Sequence, residues 1–238
     1  MIRRMELLER EEPLEVLSGL LTRAATRGRI VLVAGEAGVG KSALVNEFAT
    51  RSGVRARVVW GACDPLSTPR ALGPLRDVGR QIGGALAGTL TADGTREDAF
   101  AALLDALGDP HQPARLVVVV EDAHWADEAT LDMLMFLGRR VAATRALIVV
   151  TYRDDEVGPD HPLPAALSVL PRDAVSRVTL SPLSMASVTA IAQRAGRDPA
   201  AVHELTGGNP LLVSELVEAL DDDVPATVRE LMLARLRN

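Results

Sequence analysis

The chain alternates between short, continuous apolar runs and longer stretches in which apolar residues recur with helical spacing. Runs of the first kind occupy residues 30–34, 116–120 and 146–151, and residues 54–61 and 176–180 have a strand pattern interrupted by polar residues, weaker in the second. The run at 116–120 is a leucine followed by four valines, which is typical of a parallel strand buried on both faces. Because helical stretches separate these runs, the pattern predicts an α/β fold with a parallel sheet between layers of helices.

The stretches with helical spacing predict helices along the whole chain. They cover residues 5–27, 43–51, 70–90, 96–107, 127–143, 163–170, 184–195, 199–207, 210–220 and 225–237. In the first of them, Pro13 is expected to start the main segment. Glycines interrupt the stretch at 70–90, and Asp127 and Ser184 stand where N-caps are expected. After residue 181 no further strand pattern follows. We therefore expect an α/β domain over residues 1–180 and a small helical module behind it.

A glycine-rich loop after the first strand carries the clearest chemical signal. Its residues are Gly35, Glu36, Ala37, Gly38, Val39, Gly40, Lys41 and Ser42, which fit G-x-x-x-x-G-K-[ST], and Ala43 continues them into a helix. In such a loop, backbone N–H groups surround the α- and β-phosphates of a nucleotide. Lys41 would reach the β- and γ-phosphate oxygens, and the Ser42 hydroxyl would bind Mg²⁺. The alternative is a structural turn between a strand and a helix.

Composition narrows the class of ligand and partner. Lys41 is the only lysine among 26 basic residues, in a chain of net charge −6 without a basic block. A compact ammonium where a phosphate is expected indicates a nucleotide ligand, and nothing indicates a nucleic-acid surface. The single cysteine excludes an internal disulfide and a cysteine zinc site. The charged N-terminus and the short apolar runs predict a cytoplasmic protein without a membrane contact.

An acidic pair follows the valine-rich strand. Glu121 and Asp122 come directly after the run at 116–120, about 80 residues after the glycine-rich loop. This is the Walker B arrangement, in which one carboxylate supports Mg²⁺ and the other orients or deprotonates the attacking water. We assign Glu121 to the metal and Asp122 to the water, and the two roles can be exchanged. An acidic pair that merely caps a helix is the alternative.

Arg153 follows the next strand along the chain, where an arginine can contact the γ-phosphate. An ion pair with one of the acidic residues at 154–156 is an equally good interpretation. Arg139 and Arg140 are candidates for an arginine finger that acts on a neighbouring subunit, although a solvated helix end explains them better. Nucleotide-dependent self-association therefore stays an open expectation.

Two further segments have weaker signals. In the segment 206–210, Thr-Gly-Gly-Asn-Pro, the ring of Pro210 offers a flat apolar surface to a base, while a helix end followed by a helix start is the alternative. His124 follows the acidic pair and is a candidate for contact with the γ-phosphate or the attacking water, with a structural role at least as good.

Taken together, these segments resemble the STAND class of P-loop ATPases, signal-transduction ATPases with numerous domains. The nearest similarity is to the ATPase region of large ATP-binding LuxR-type transcriptional regulators. The resemblance rests on residues 33–42, 69–74, 119–127, 150–156 and 205–210 and extends over nearly the whole chain. Glu121 departs from the pattern, because many relatives have aspartate at this position.

The resemblance implies more than the pattern shows. It implies the sheet order 5-1-4-3-2, shared with AAA+ ATPases, and a helical lid over residues 181–223 whose Pro210 packs on adenine. Arg153 would be the sensor arginine for the γ-phosphate. Residues 224–238 would begin a winged-helix module, and DNA would be bound only by a helix-turn-helix beyond this sequence.

The sequence therefore predicts a signalling switch that binds Mg-ATP between the α/β domain and the lid and hydrolyses it slowly. Its partners would be the nucleotide and other domains of a longer protein. A small-molecule kinase is an alternative, although residues 181–220 hold only Arg194 and Arg197 as basic residues. A scaffold that binds ADP for structural reasons is a further alternative.

Overall fold

The computed structural model describes residues 7–66, 68, 70–91, 94–111 and 114–219. The strands are β1 (Arg29–Ala34), β2 (Ala56–Ala62), β3 (Arg115–Glu121), β4 (Leu147–Tyr152) and β5 (Val175–Thr179). The first helices are α1 (Glu11–Ala24), α2 (Lys41–Ser52), α3 (Gly73–Ile82), α4 (Gly84–Thr91) and α5 (Arg96–Gly108). The others are α6 (Glu128–Gly138), α7 (Pro162–Ser168), α8 (Met185–Arg194), α9 (Pro199–Thr206) and α10 (Pro210–Glu218). The helix predicted at 225–237 lies outside the described residues.

The five strands form one parallel sheet in the order β2-β3-β4-β1-β5. This is the predicted order 5-1-4-3-2 read from the other edge, so the prediction is confirmed. Strand β1 lies between β4 and β5, with Leu32 opposite Val150 of β4 and Arg177 of β5. Because all strands are parallel, the loops that follow β1, β3 and β4 leave the sheet at the same edge.

Helices cover both faces of the sheet. Along β3, Val118 and Val120 belong to the apolar core that includes α3–α7, and Val117 and Val119 belong to the core that includes α1 and α2. This two-sided burial explains why the strand is a continuous apolar run rather than an alternating one.

The structure differs from the predicted helices at the places where glycines or tertiary contacts interrupt a helix. Helix α1 begins at Glu11 rather than at residue 5, because the backbone at Glu9 is left-handed with φ 58°. The stretch at 70–90 divides into α3 and α4 at Gly83 and Gly84, both with positive φ. Helix α6 ends at Gly138, and a short 3₁₀ turn, Val141–Ala143, completes the predicted stretch.

Helices α8, α9 and α10 form the helical part after the sheet. They pack around a small apolar core of their own, which contains Leu183, Val188, Ala192, Val202 and Val213. Across the described part of the chain, every helix is either too short or too polar to cross a membrane.

Candidate functional site

The glycine-rich loop connects β1 to α2 and has the backbone that its sequence predicts. Gly35, Gly38 and Gly40 all have positive φ angles, of 145°, 75° and 103°. At Gly38 a Cβ would lie only 2.8 Å from the Oδ1 atom of Asn209. Gly40 is the N-cap of α2 and has no side chain to cap it, so the first N–H groups of α2 are available to an anion.

Lys41 is buried at the mouth of this loop. Its side chain curls back, and the Nζ atom donates hydrogen bonds to the carbonyl oxygens of Gly35 (2.6 Å) and Glu36 (2.9 Å). Burial, and next the charge of Arg153, lower the pKa of the Lys41 ammonium, while the charge of Asp122 raises it. A lysine and an arginine that repel each other in a partly desolvated place would both be stabilised by an anion between them.

The acidic pair stands at the carboxyl end of β3. Glu121 is the last residue of the strand, and its Oε1 atom is buried without a hydrogen-bond partner in the described part of the chain. Asp122 has a left-handed backbone, with φ 54°, and its N–H group donates to the Thr151 hydroxyl on β4 (3.1 Å). Because buried carboxylate oxygens are rarely left unpaired, Glu121 has room for an additional partner such as a cation.

The donor set fits Mg²⁺. Ser42 lies in the first turn of α2, and the Glu121 oxygen without a partner supplies a carboxylate ligand of the kind Mg²⁺ prefers. In the residues that the structure describes, no three His, Cys, Asp or Glu side chains group together as a metal site. Mg²⁺ is usually bound by one or two protein ligands together with nucleotide phosphates and water.

Arg153 directly follows β4, at the same carboxyl end of the sheet as the glycine-rich loop and the acidic pair. Its guanidinium forms an ion pair with Glu156 and lies 4.9 Å from the centre of the Trp125 ring. Of the three acidic residues considered in the sequence, Glu156 is thus the ion-pair partner. The proximity of Arg153 to Lys41 is what makes it a candidate for a γ-phosphate contact as well.

His124 connects these groups. Its side chain is 1% exposed, and neither ring nitrogen has a hydrogen-bond partner among the described residues. The Nδ1 atom is 3.9 Å from an Asp122 oxygen, and the Nε2 atom is 3.6 Å from a Glu156 oxygen. Burial lowers the pKa of His124, so the neutral imidazole, with a single N–H, stands between the acidic pair and the partner of Arg153.

Arg10 is a residue of the site that sequence reasoning missed. It is 4% exposed, and its Nη2 atom donates to the carbonyl oxygens of Val39 in the loop (3.0 Å) and of Ser181 before α8 (2.8 Å). In the sequence, Arg10 was only part of a helix predicted over residues 5–27. Pro13 already indicated that the main helical segment starts after Arg10, but nothing in the sequence showed which carbonyl groups the guanidinium contacts.

Asn209 is the second missed residue. Its Nδ2 atom donates to the Glu36 carboxylate (2.9 Å) and to the Ala37 carbonyl (2.7 Å), both in the loop. Its Oδ1 atom accepts the N–H groups of Leu211 and Leu212 and so caps α10. Asparagine before proline is a recognisable helix start, but only the fold reveals which loop it contacts.

Pro210 lies beside the loop at the edge of a cavity of about 90 Å³. The cavity is lined by Leu7, Leu8, Arg10, Val39, Gly40, Ala43, Leu183 and Pro210. Most of these side chains are apolar, so the cavity offers an apolar surface next to the phosphate loop.

Comparison with known proteins places these features in a wider group. A family model described as AAA ATPase domain matches residues 6–150, more than half of the chain. A curated protein of Rhizobium meliloti (strain 1021), described as uncharacterized, is 26% identical over 269 residues, which cover 94% of this chain and 26% of that protein. The chain thus spans about a quarter of the length of this relative.

Several solved structures share the fold. A Walker-type ATPase of Pyrococcus abyssi has a TM-score of 0.64 at 17% identity, over 99% of this chain and 76% of its own. A STAND protein of Pyrococcus horikoshii with a tetratricopeptide repeat sensor has a TM-score of 0.57 at 18% identity, over 99% of this chain and 33% of its own. Cdc6p of Pyrobaculum aerophilum has a TM-score of 0.62 at 19% identity, over 90% and 61%.

Proposed function

The chain belongs to the AAA ATPase domain family, and from this premise we propose that it binds ATP or ADP with Mg²⁺ and hydrolyses ATP slowly as a switch. The observation that carries the proposal is the arrangement of Lys41. The only lysine of the sequence is buried, its Nζ atom donates to the carbonyl oxygens of Gly35 and Glu36 in the glycine-rich loop, and the charge of Arg153 acts on it. A polyphosphate between the two positive charges would relieve their repulsion.

Each functional group has a role in this proposal. Backbone N–H groups of residues 35–43 hold the α- and β-phosphates, and Lys41 turns from its carbonyl partners to the β- and γ-phosphate oxygens. Ser42 and Glu121 would hold Mg²⁺, which neutralises phosphate charge when it is bound. Asp122 orients the attacking water and accepts its proton while the β–γ bridging oxygen leaves with ADP.

The cavity beside Pro210 is the proposed place for adenine. It adjoins Val39 and Gly40 of the phosphate loop, so a base in it would be continuous with phosphates bound by the loop. Its walls come from the α/β part and from the helical part. Bound nucleotide would therefore contact both parts at once.

The ion pair of Arg153 with Glu156 supports the switch in this proposal. An arriving γ-phosphate competes with Glu156 for the guanidinium, whereas ADP leaves the ion pair in place. The presence or absence of the γ-phosphate would thus decide whether the Arg153–Glu156 ion pair after β4 is broken or kept.

The wider role follows from the resemblance stated above. We propose a regulatory ATPase region of a LuxR-type transcriptional regulator, with the domain division 1–180, 181–223 and 224–238. In this proposal DNA is bound by a helix-turn-helix outside the sequence, and the signal is received by other domains. The third segment lies outside the described residues.

Lys41→Ala tests the central step. The wild-type chain should bind ATP and ADP in calorimetry, and the variant should lose at least about a hundredfold in affinity, because a charge-assisted phosphate contact disappears. Lys41→Met, which keeps the length of the buried stem, should lose as much. The exposed Arg27→Ala is the control. Unchanged affinity in both Lys41 variants would reject the phosphate-loop interpretation.

A further inference from the structure

Asn209 joins the phosphate loop to helix α10 through a side-chain amide whose hydrogen-bonding positions are all occupied. It is 2% exposed, and both amide N–H groups donate to the loop, to Glu36 and Ala37. Both acceptor positions of its oxygen receive N–H groups of α10, from Leu211 and Leu212. An asparagine amide has two donors and two acceptor positions, so no capacity remains for other partners.

The phosphate loop packs closely against Asn209 and Leu211 at Gly38. The N–H group of Leu211 also reaches the carbonyl of Gly38, at 3.3 Å. A side chain at Gly38 would collide with the Asn209 oxygen and with the Cβ atom of Leu211, at 2.8 and 2.9 Å. The first turn of α10 is therefore docked directly on the backbone that would surround phosphates.

Glu36 places a negative side chain inside a loop that binds anions. Its own backbone carbonyl accepts a hydrogen bond from the Lys41 ammonium, at 2.9 Å. The Glu36 side chain thus starts from backbone that the Lys41 ammonium contacts, and we infer that its carboxylate can turn toward Lys41. There it would compete with a phosphate for the ammonium and repel the phosphate by its charge. The Asn209 amide holds this carboxylate on the side of α10 instead.

We propose that Asn209 is a positioning residue that holds the Glu36 carboxylate away from the phosphate site. Tight nucleotide binding then requires α10 to be docked on the loop. Undocking of the helical part removes the hydrogen bond from Asn209 to Glu36, whose carboxylate then takes the place of a phosphate group and lowers nucleotide affinity. The inference rests on the proposed nucleotide site and supplies a means of regulating it.

The inference is tested by removing the amide donor of Asn209 while keeping the oxygen that caps α10. Asn209→Asp keeps an oxygen that caps α10 but replaces the amide donor with a charge that repels Glu36. Affinity for ATP and ADP in calorimetry should fall by about tenfold or more. Combining Asn209→Asp with Glu36→Gln restores a donor–acceptor pair and should recover most of the affinity. The single variant Glu36→Gln closes the double-mutant cycle.

Asp198→Ala is the matched control, because Asp198 caps the neighbouring helix α9 through the N–H groups of Ala200 and Ala201. It should lower the melting temperature without a change in nucleotide affinity. Melting curves of all variants establish that they fold.

The outcomes separate this inference from the proposed function. If Lys41→Ala abolishes binding but Asn209→Asp binds like the wild type, the role of Asn209 is wrong and the phosphate site stands. If Asn209→Asp binds weakly and adding Glu36→Gln does not restore affinity, the loss does not act through Glu36, and the inference is again overturned. If Lys41→Ala binds normally, the proposed function itself fails.

Discussion

At the residue scale, the two acids after β3 lie in different surroundings. Glu121 belongs to the strand and has a buried oxygen without a hydrogen-bond partner in the described chain. Asp122 has a left-handed backbone, a side chain that is one-third exposed, and a neighbour in the neutral ring of His124. A buried oxygen suits a cation, and a carboxylate that water can reach suits proton transfer. The contrast supports the proposed division of roles.

Asp122→Asn should separate binding from hydrolysis. The change removes the charge and the proton acceptor but keeps the shape and the backbone N–H that donates to Thr151. ATP should still bind in calorimetry, while phosphate release in single-turnover assays slows by about a hundredfold or more. Glu121→Gln should instead weaken the Mg²⁺ dependence of binding. Normal hydrolysis by both variants would contradict the switch, and transfer to an added acceptor would indicate a kinase.

At the scale of elements, Glu9 before α1 is hydrogen-bonded to the start of α8, a contact called the Glu9 clasp below. The Glu9 carboxylate accepts the N–H of Ser184 at 3.0 Å and the hydroxyls of Ser184 and Ser187. These hydrogen bonds lower the pKa of Glu9, chiefly those from the two hydroxyls. The left-handed backbone at Glu9 is the local cost of turning its side chain toward α8.

This clasp should respond to acid. Because the pKa of Glu9 is lower in the folded chain than its ordinary 4.5, the stabilisation is present above that value and is lost as pH falls through the lowered pKa. Protection of the Ser184 amide in hydrogen exchange should decrease over that range. Glu9→Gln should abolish the pH step, and Glu12→Gln, on the exposed face of α1, should retain it. An unchanged step in Glu9→Gln would assign the effect to another group.

The elements also show what a sequence can and cannot predict. Strands such as β3 were predicted well, because burial on both faces requires a continuous apolar run. Residues 7–10 were wrongly predicted as helix, because contacts of Glu9 and Arg10 with distant residues override a helical pattern. The glycine-rich loop was recognisable from local spacing alone. The contact of Asn209 with Glu36 was not, since it depends on how two remote segments meet.

At the scale of the whole molecule, three separate parts of the chain meet around the phosphate loop. Arg10 comes from the N-terminal segment, and its hydrogen bonds reach Val39 in the loop and Ser181 before the helical part. The guanidinium is buried, and burial lowers its pKa, so its charge is retained at a cost in desolvation. Because its hydrogen bonds hold the loop and the helical part together, Arg10 contributes both to the stability of the fold and to the geometry of the site.

Arg10→Met tests this connection. Methionine preserves the apolar stem but leaves the carbonyls of Val39 and Ser181 without their donor, so unfolding in urea should become easier by about 1–3 kcal/mol. The gain in stability on adding ADP should shrink as well, because the loop is less well held. Arg27→Met removes an exposed ion pair with Asp173 and should cost at most about 1 kcal/mol. Equal effects of the two substitutions would contradict the role of Arg10.

The central place of β1 in the sheet has a consequence for synthesis on the ribosome. The strand that carries the phosphate loop is made early, but its neighbours β4 and β5 are made much later. Both sides of β1 therefore stay without their partners until most of the chain has emerged, and pairing across such long separations is slow. A nascent chain that stops before β5 would contain every residue of the loop and still have one edge of β1 open. The nucleotide binding proposed above would therefore be acquired only after β5 has been made.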